Sequence, residues 1–408
     1  MTGRFSSVFL QVASLFMVAS ALQSEELPMA IAAPPAVVNA GAPPSKGWSY
    51  DPDAGFVFRD GDLKWITWGY AERLIDPKGP DLFRRVRQGM ELDFGRFSPH
   101  RRSAFVYEVD LTDNDFFRQG PKWKVFENLY YAFQDAEDPG KFRVVIGENT
   151  HVLAREDSLS SGNLPLINRS LILEEHGSVN SFGTQFGIQL QKEVAPDTVL
   201  ALSAQDNRGS LNTDHPRFHV GNSLAGKLTR TVFKNDQGTS LNLGFGVDDT
   251  RNIKDRTYSF ASAIAGEQLG GTEATGNKLT FGGHAVLTSK VSNRPYAIEE
   301  EMLHSRFDGS GTTVYGGYLQ GQIAISRLIT PVIRYDVVRL DRGARSVNQR
   351  AVRLGINYNV PHTRELFNVH LEYAHNRIGG PADFVTHSRS LDEFRIELRL
   401  SATRYLRF

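Results

Sequence analysis

Arg85, Arg87, Glu91 and Asp93 share one parity, opposite to Met90, Leu92 and Phe94, and Glu108 and Asp110 repeat the pattern in the next alternating run. On a strand, successive side chains point to opposite faces, so these guanidiniums and carboxylates would stand together. Opposed charges on the wall of a water-filled channel set a transverse field that orders water and filters ions by charge and size. The plainer alternative is solvated charge on an ordinary strand. Arg334, Arg353, Arg395 and Arg399 extend the pattern towards the other end of the chain, with Asp336, Glu372 and Glu397 also on the inward parity. A further set, Arg155, Glu156, Asp157 and Arg169, lies in 151–177, which breaks the alternation and is too long for a tight turn. Long aperiodic segments are functional or disordered. Folded into a channel, this one would narrow it and place those four side chains at the eyelet; packed outside, it would be a rim loop.

Catalytic and metal chemistry finds less support. His284 and His370 fall on inward faces, but no Ser or Asp stands at a spacing that makes either part of a triad. An enzyme built on a barrel would need a Ser–His pair at the rim. H-E-x-x-H, a Gly-rich phosphate loop and a Ca²⁺ loop are all absent. Asp248-Asp249 and the Glu299-Glu300-Glu301 run are weak Ca²⁺ candidates and better read as solvated charge. No catalytic residue, cofactor or metal is expected.

The elements that would position these charges are strands. From about Trp48, alternating runs recur between Gly, Asn, Asp and Pro clusters. Leu241, Leu243, Phe245 and Val247 oppose Asn242, Gly244, Gly246 and Asp248; Val352, Leu354, Ile356 and Tyr358 oppose Arg353, Gly355, Asn357 and Asn359. Gln320 falls on the inward parity of its run. Many runs reach about nine to eleven residues, enough to cross a bilayer at a tilt, against about five or six for an ordinary strand. About sixteen such runs predict an antiparallel transmembrane β-barrel wide enough for an aqueous channel. The last of them, with Phe394, Ile396, Leu398, Leu400, Leu406 and Phe408 on its apolar face, predicts the closing strand. Phe408 is the expected contact for the barrel-assembly machinery, and outer-membrane lipid the expected surroundings.

Bulk properties agree. Lys+Arg and Asp+Glu are both 46, so nothing draws nucleic acid to the chain by its field. There is no Cys for a disulfide framework or thiolate metal site. Arg4, the apolar stretch 8–18 and the small residues 19–21 predict a secretory signal over 1–21. Residues 22–47, rich in Ala and Pro, read as a flexible leader, and 48–408 as the barrel. After the signal no stretch approaches the roughly 18–20 apolar residues of a membrane helix.

The stretch LFRRVRQGMELDFGRFSPHRRSAFVYEVD, residues 82–110, resembles the strand-hairpin signature of the phosphate-selective porin (O/P type) family. Phe83, Arg84, Arg85, Arg87 and Gly89 match its FRR-x-R-x-G strand, and Tyr107, Glu108 and Asp110 its Y-E-x-D strand. FENLYYAF (126–133), FRVVIGENT (142–150), REDSLSSGNLPLINRSLI (155–172), ITPVIRYDVV (329–338) and RLGINYNV (353–360) are similar to further segments of that family. The resemblance implies a trimeric sixteen-stranded bacterial outer-membrane porin with a long loop folded into the pore and basic side chains on its wall. Strongly selective members carry an excess of inward Lys and Arg, whereas this chain is neutral, so a weak anion preference, with phosphate among the anions, is the expectation. The alternative from another class is a secreted or surface β-sandwich that binds carbohydrate.

Overall fold

Alternation over long runs, with Gly, Asn and Asp between them, makes strands and hairpins the only regular structure these segments can share. The computed structural model describes residues 46–51, 55–75, 82–111, 126–156, 159, 164–173, 184–206, 222–251, 274–361, 366–381, 385 and 389–401. Its strands are β1 (Lys46–Asp51), β2 (Gly55–Asp60), β3 (Leu63–Ile75), β4 (Leu82–Ser98), β5 (Arg101–Asp110) and β6 (Phe126–Asp135). Then come β7 (Phe142–Thr150), β8 (Thr184–Ala195), β9 (Thr198–Asp206), β10 (Ser223–Lys234), β11 (Ser240–Thr250) and β12 (Lys278–Val291). The last are β13 (Arg294–Phe307), β14 (Thr312–Ile323), β15 (Ile329–Arg342), β16 (Arg345–Asn359), β17 (Phe367–Gly379) and β18 (Arg389–Ser401). No α-helix occurs among the described residues.

From β3 to β18 each strand pairs antiparallel with the next, and β18 returns to β3, where Ile396 faces Ile75 and Ser401 faces Tyr70. The result is one closed ring of sixteen strands. Closure pairs the N–H and C=O groups of neighbouring strands around the ring, which is what a sheet surrounded by hydrocarbon requires. A sandwich needs two facing sheets, so the β-sandwich expectation is replaced by this single closed one. The strands β1 and β2 stand outside the ring as a hairpin, and β2 pairs with β3. Among the described residues the first strand, β1, includes Lys46 and Gly47.

The connections differ by end. At one end turns are tight: Ser292 and Asn293, with φ of 50° and 62°, join β12 to β13. Two successive positive φ values give the turn whose twist matches that of the flanking strands. At the other end lie the long connections that follow β5, β7, β9 and β11. In bacterial barrels short turns lie on the periplasmic side and long loops outside.

The outer surface is apolar: Phe245 is 62% exposed, Leu400 59% and Ile333 55%. Inward residues are polar, small or packed. The packed part is a cluster in which Leu153, Ala154, Leu171, Ile172 and Leu173 meet Leu303, Phe307, Val314, Val338, Leu340 and Val347 of β13 to β16. The described parts of the segment between β7 and β8, 151–156 and 164–173, thus lie inside the ring; the rest of 151–177, apart from Leu159, lies outside the described residues. Burying each of its Leu and Ile side chains contributes about 1.5–3 kcal/mol. Wall glycines make room for it. A Cβ on Gly355 would come within 2.5 Å of Leu166, and one on Gly246 within 2.7 Å of Leu153.

Candidate functional site

The inserted segment is held chiefly through its backbone. Glu301 of β13 accepts the N–H groups of Arg155 (2.5 Å) and Glu156 (3.0 Å). Glu372 of β17 accepts that of Ile167 (2.7 Å), and Asp336 of β15 that of Leu171 (3.3 Å). Carbonyls are met by cations: Lys227 donates to Leu153 (2.9 Å), Arg334 to Asn168 (3.3 Å) and Arg399 to Leu164 (3.2 Å). Asn357 donates to the carbonyl of Pro165. An aperiodic segment cannot satisfy its own backbone, so the wall must do so.

Beneath it the wall charges pair with the segment and with one another. Arg334 reaches Glu156 at 2.6 Å and Gln320 at 3.0 Å, with its guanidinium 4.6 Å from the Tyr318 ring centroid. Arg353 bridges Asp336 (3.2 Å) and Glu372 (3.3 Å), and Arg399 pairs with Glu397. All of these charges are buried. Glu156 also accepts from the Ser170 N–H and hydroxyl at 2.8 and 2.6 Å. Burial works against its charge, but Arg334, Arg169 and the Ser170 hydrogen bonds outweigh it and hold the carboxyl below the usual range. Arg169 itself donates to the carbonyls of Glu156 and Leu159.

At the root of the segment, His151 meets Ser223 and Asp248. The imidazole Nδ1 accepts the Leu153 N–H at 3.2 Å, so the ring proton sits on Nε2. That atom lies 3.4 Å from both Ser223 Oγ and Asp248 Oδ1. The serine hydroxyl donates to Asp248 at 2.5 Å, and Thr250 donates to the other carboxylate oxygen. All three types of a nucleophilic triad are present, in the wrong roles. The histidine is a donor here rather than a base, and His151 and Ser223 are no more than 1% exposed.

On the inner wall of β3 to β7 buried and solvent-reaching charges stand side by side. Arg87 pairs with Glu108 (3.2 Å) and Asp110 (3.1 Å), and Arg102 with Asp93 (3.2 Å). Glu91 lies 3.9 Å from Arg102. Arg143 donates to the Tyr130 hydroxyl at 2.8 Å. Arg102 and Glu91 keep 29% and 26% of their side-chain surface. At the edge of the inserted segment Arg155 meets Glu299 at 3.1 Å and stays 30% exposed.

The expected site residues therefore divide. Arg87, Glu91, Asp93, Glu108 and Asp110 gather on β4 and β5. Arg85 faces inward too, but lies buried against Glu72 at 3.6 Å. Arg334, Arg353 and Arg399 are inward and covered by the segment rather than bathed in water; Arg395 pairs with Glu393 at 3.1 Å. Arg155, Glu156 and Arg169 lie on the segment, and Asp157 and Phe408 lie outside the described residues. Glu301, Glu299, Lys227, Glu72, Arg102 and Arg143 were missed. A signal for the first two existed: on an alternating strand a Glu299-Glu300-Glu301 run must send its first and third members to the same face, here inward. No group of His, Asp or Glu able to hold a metal occurs among the described residues.

No family model and no curated sequence matches the chain. Solved structures do, at the level of fold. OmpT, an outer membrane protein of Vibrio cholerae, aligns with TM-score 0.56 and 9% identity over 85% of this chain and 99% of its own, and is also known in a trimer form. The outer membrane channel DcaP of Acinetobacter baumannii aligns with TM-score 0.51 and 13% identity over 85% and 99%. The anion-selective porin from Comamonas acidovorans gives 0.50 and 12% over 83% and 99%. The fold is that of a bacterial outer-membrane porin.

Proposed function

We propose that this protein is an outer-membrane porin through which small hydrophilic solutes and ions diffuse passively, with a weak preference for anions. The observation that carries the reading is a closed ring, apolar outside, whose interior holds a segment against one wall and leaves the charges of another partly accessible. A diffusion channel needs both a barrier to lipid and a polar inner surface. The anion preference rests on Arg87 and Arg155, which keep 11% and 30% of their side-chain surface and have a planar fork suited to oxyanions. Arg85, buried against Glu72, and Arg169, which donates to the Glu156 and Leu159 carbonyls, add only their charge. Glu72, Glu108, Asp110 and Glu299 stand against Arg85, Arg87 and Arg155, which favours weak over strong selectivity.

Membership of the phosphate-selective O/P type is part of the proposal and rests on the motifs at 82–110 and 155–172. So are a signal over 1–21 with a leader after it, recognition of Phe408 by the assembly machinery, and a homotrimer, which the trimer form of a structural neighbour supports. A non-enzymatic role is favoured by the His151–Ser223–Asp248 arrangement, where the hydroxyl proton is committed to the carboxylate.

The test is conductance in planar bilayers. Purified protein that shifts its gel mobility on heating should give stepwise ohmic currents, with a reversal potential under a salt gradient displaced slightly towards anions. Folded protein that carries no current would overturn the porin reading.

A further inference from the structure

Two arginines stand together on the outer surface, at the end of the ring that carries the long connections. β12 and β13 meet at a tight turn, so β13, β15 and β17 run towards that end and β16 and β18 start from it. Arg350 of β16 and Arg377 of β17 lie there and face each other directly. Both are exposed, while their chain neighbours Gln349, Ala351, Asn376 and Ile378 are buried on the inward parity. Side chains opposed in this way have Cβ atoms about 4.5–5.5 Å apart, where two like charges repel. Neither guanidinium has an ion-pair or hydrogen-bond partner among the described residues. The described carboxylates that face outward on β15 to β18 at this end are already held. Asp341 meets Arg339 at 2.8 Å, and Asp392 meets both His375 and the Tyr373 hydroxyl at 2.7 Å.

Towards the middle of the wall the same outward parity turns apolar. Val352, Leu354 and Ile356 follow Arg350 along β16, and Tyr335 and Ile333 of β15 face Val352 and Leu354. All five are exposed. Tyr335 and Tyr373 lie one and two side-chain rows from the arginine pair, and such rings mark the level where acyl chains give way to headgroups. Two cations without counter-charge thus sit at the head of an apolar band. An anion held by both planar forks removes their repulsion and adds charge-assisted hydrogen bonds. A free anion would use the arginines alone. A lipid uses both parts of the surface, its anionic head at Arg350 and Arg377 and its acyl chains on Val352, Leu354 and Ile333.

We propose that Arg350 and Arg377 form a binding site for the phosphate of an outer-leaflet lipid whose acyl chains lie on the apolar band of β15 and β16. The site rests on the outer-membrane barrel and not on conduction through it, so it stands or falls apart from the porin reading.

The probe is lipid A, a diphosphorylated and acylated glucosamine disaccharide, added to the purified full chain in neutral detergent. Native mass spectrometry reads the lipid retained and the oligomeric state together. The wild type should retain lipid A roughly tenfold better than its dephosphorylated form, as expected for charge-assisted contacts to both arginines. Inorganic phosphate at equal concentration should not displace it. Arg350→Gln with Arg377→Gln should lose most of that preference, and Lys at both positions should restore part of it. Arg230→Gln should keep it in full, since that exposed arginine faces Thr198, the first residue of β9, near the opposite end. Equal retention of the two lipid forms by the wild type would overturn the proposal without any variant having to fold. Displacement by inorganic phosphate would make this a site for free anions and overturn its assignment to lipid. An unchanged preference in the double Gln variant would also overturn it. If that variant instead lost its oligomer while lipid A binding stayed the same, the face would be a contact between copies and the proposal wrong.

Discussion

The inner walls of β13 to β18 and of β3 to β6 are built from the same residue types and use them differently. On the first, Arg334, Arg353 and Arg399 meet Glu156, Asp336, Glu372 and Glu397 under the inserted segment, with almost no exposure. On the second, Arg102, Glu91 and their neighbours keep up to 29% of their side-chain surface. Exposure decides what such a pair is worth. In a covered site, loss of one partner strands the other without water; in an accessible one, water takes over most of its work. One set of pairs is therefore structural, and the other, under the proposed porin function, is the set that would act on solutes.

The largest expected effect breaks that comparison at its strongest point. Arg334→Met leaves Glu156 buried without its cation and should cost about 3–5 kcal/mol. Glu91→Gln, which removes the accessible partner of Arg102, should cost roughly 0–1 kcal/mol. Urea unfolding of both variants from vesicles measures the difference, and equal costs would show that the segment does not seal its wall. Arg334→Met should also make single-channel currents noisy, because the segment loses Glu156 and the Asn168 carbonyl as anchors together.

Lipid-facing positions come next. Leu354, 47% exposed on the outer face of β16, should destabilise by about 2–4 kcal/mol when replaced by Arg, provided it sits near the midplane. Gln320→Arg tests the inner face. Parity alone places Gln320 inward, where an arginine would be harmless in water. Instead it is 3% exposed and accepts from Arg334, so the substitution sets one guanidinium against another and removes an acceptor. A cost of about 1–3 kcal/mol is expected from the unmade hydrogen bond alone. An unaltered unfolding midpoint for Gln320→Arg would mean that water reaches this wall.

Gln320 marks where sequence reading ends. The inside and outside were legible where alternation is clean, as from Leu241 to Val247 and from Val352 to Ile356; in β3 they were not, because the apolar parity of Ile66 and Tyr70 turns inward with Glu72 while Trp65 faces out. The broken period of 151–177 marked it as either a channel or a rim loop, and its described parts, 151–156 and 164–173, fold inward. What lies beneath it was not legible, since Arg155 and the Glu301 that receives its N–H are 146 residues apart. Nothing local distinguishes a covered Arg334 from an accessible Arg87. The extra hairpin was equally hidden: β1 and β2 are short, and only the register on β3 reveals that β2 shares its edge with β18.

A smaller effect should appear with pH. The Glu156 carboxyl is held below its usual range, so its contribution to the docked segment is complete above the unfolded value, about 4.3, and is lost as pH falls through the lower folded value. Currents should stay quiet from neutral pH down to that point and grow noisy below it. Glu156→Gln should be noisier at neutral pH and lack that acid transition. A transition of unchanged position in Glu156→Gln would assign it to other carboxylates.

The smallest effect concerns the accessible wall, where stability hardly changes and only ions report. Arg87 stands between Glu108 and Asp110, so Arg87→Gln uncovers two carboxylates at once, whereas Arg85→Gln uncovers the buried Glu72. The pair of substitutions should move the reversal potential towards cations, with most of the shift due to Arg87. Because these charges act through water, the shift should shrink as added salt shortens the Debye length from about 30 Å at 0.01 M to about 3 Å at 1 M. A shift of the same size at both salt concentrations would point to a rearranged inner wall rather than to its field. No shift in low salt would remove Arg85 and Arg87 from the ion path. Tight, saturable block of the wild-type channel by phosphate would show that the balancing carboxylates do less than their distances suggest, and would favour the specialised phosphate-selective function over general diffusion.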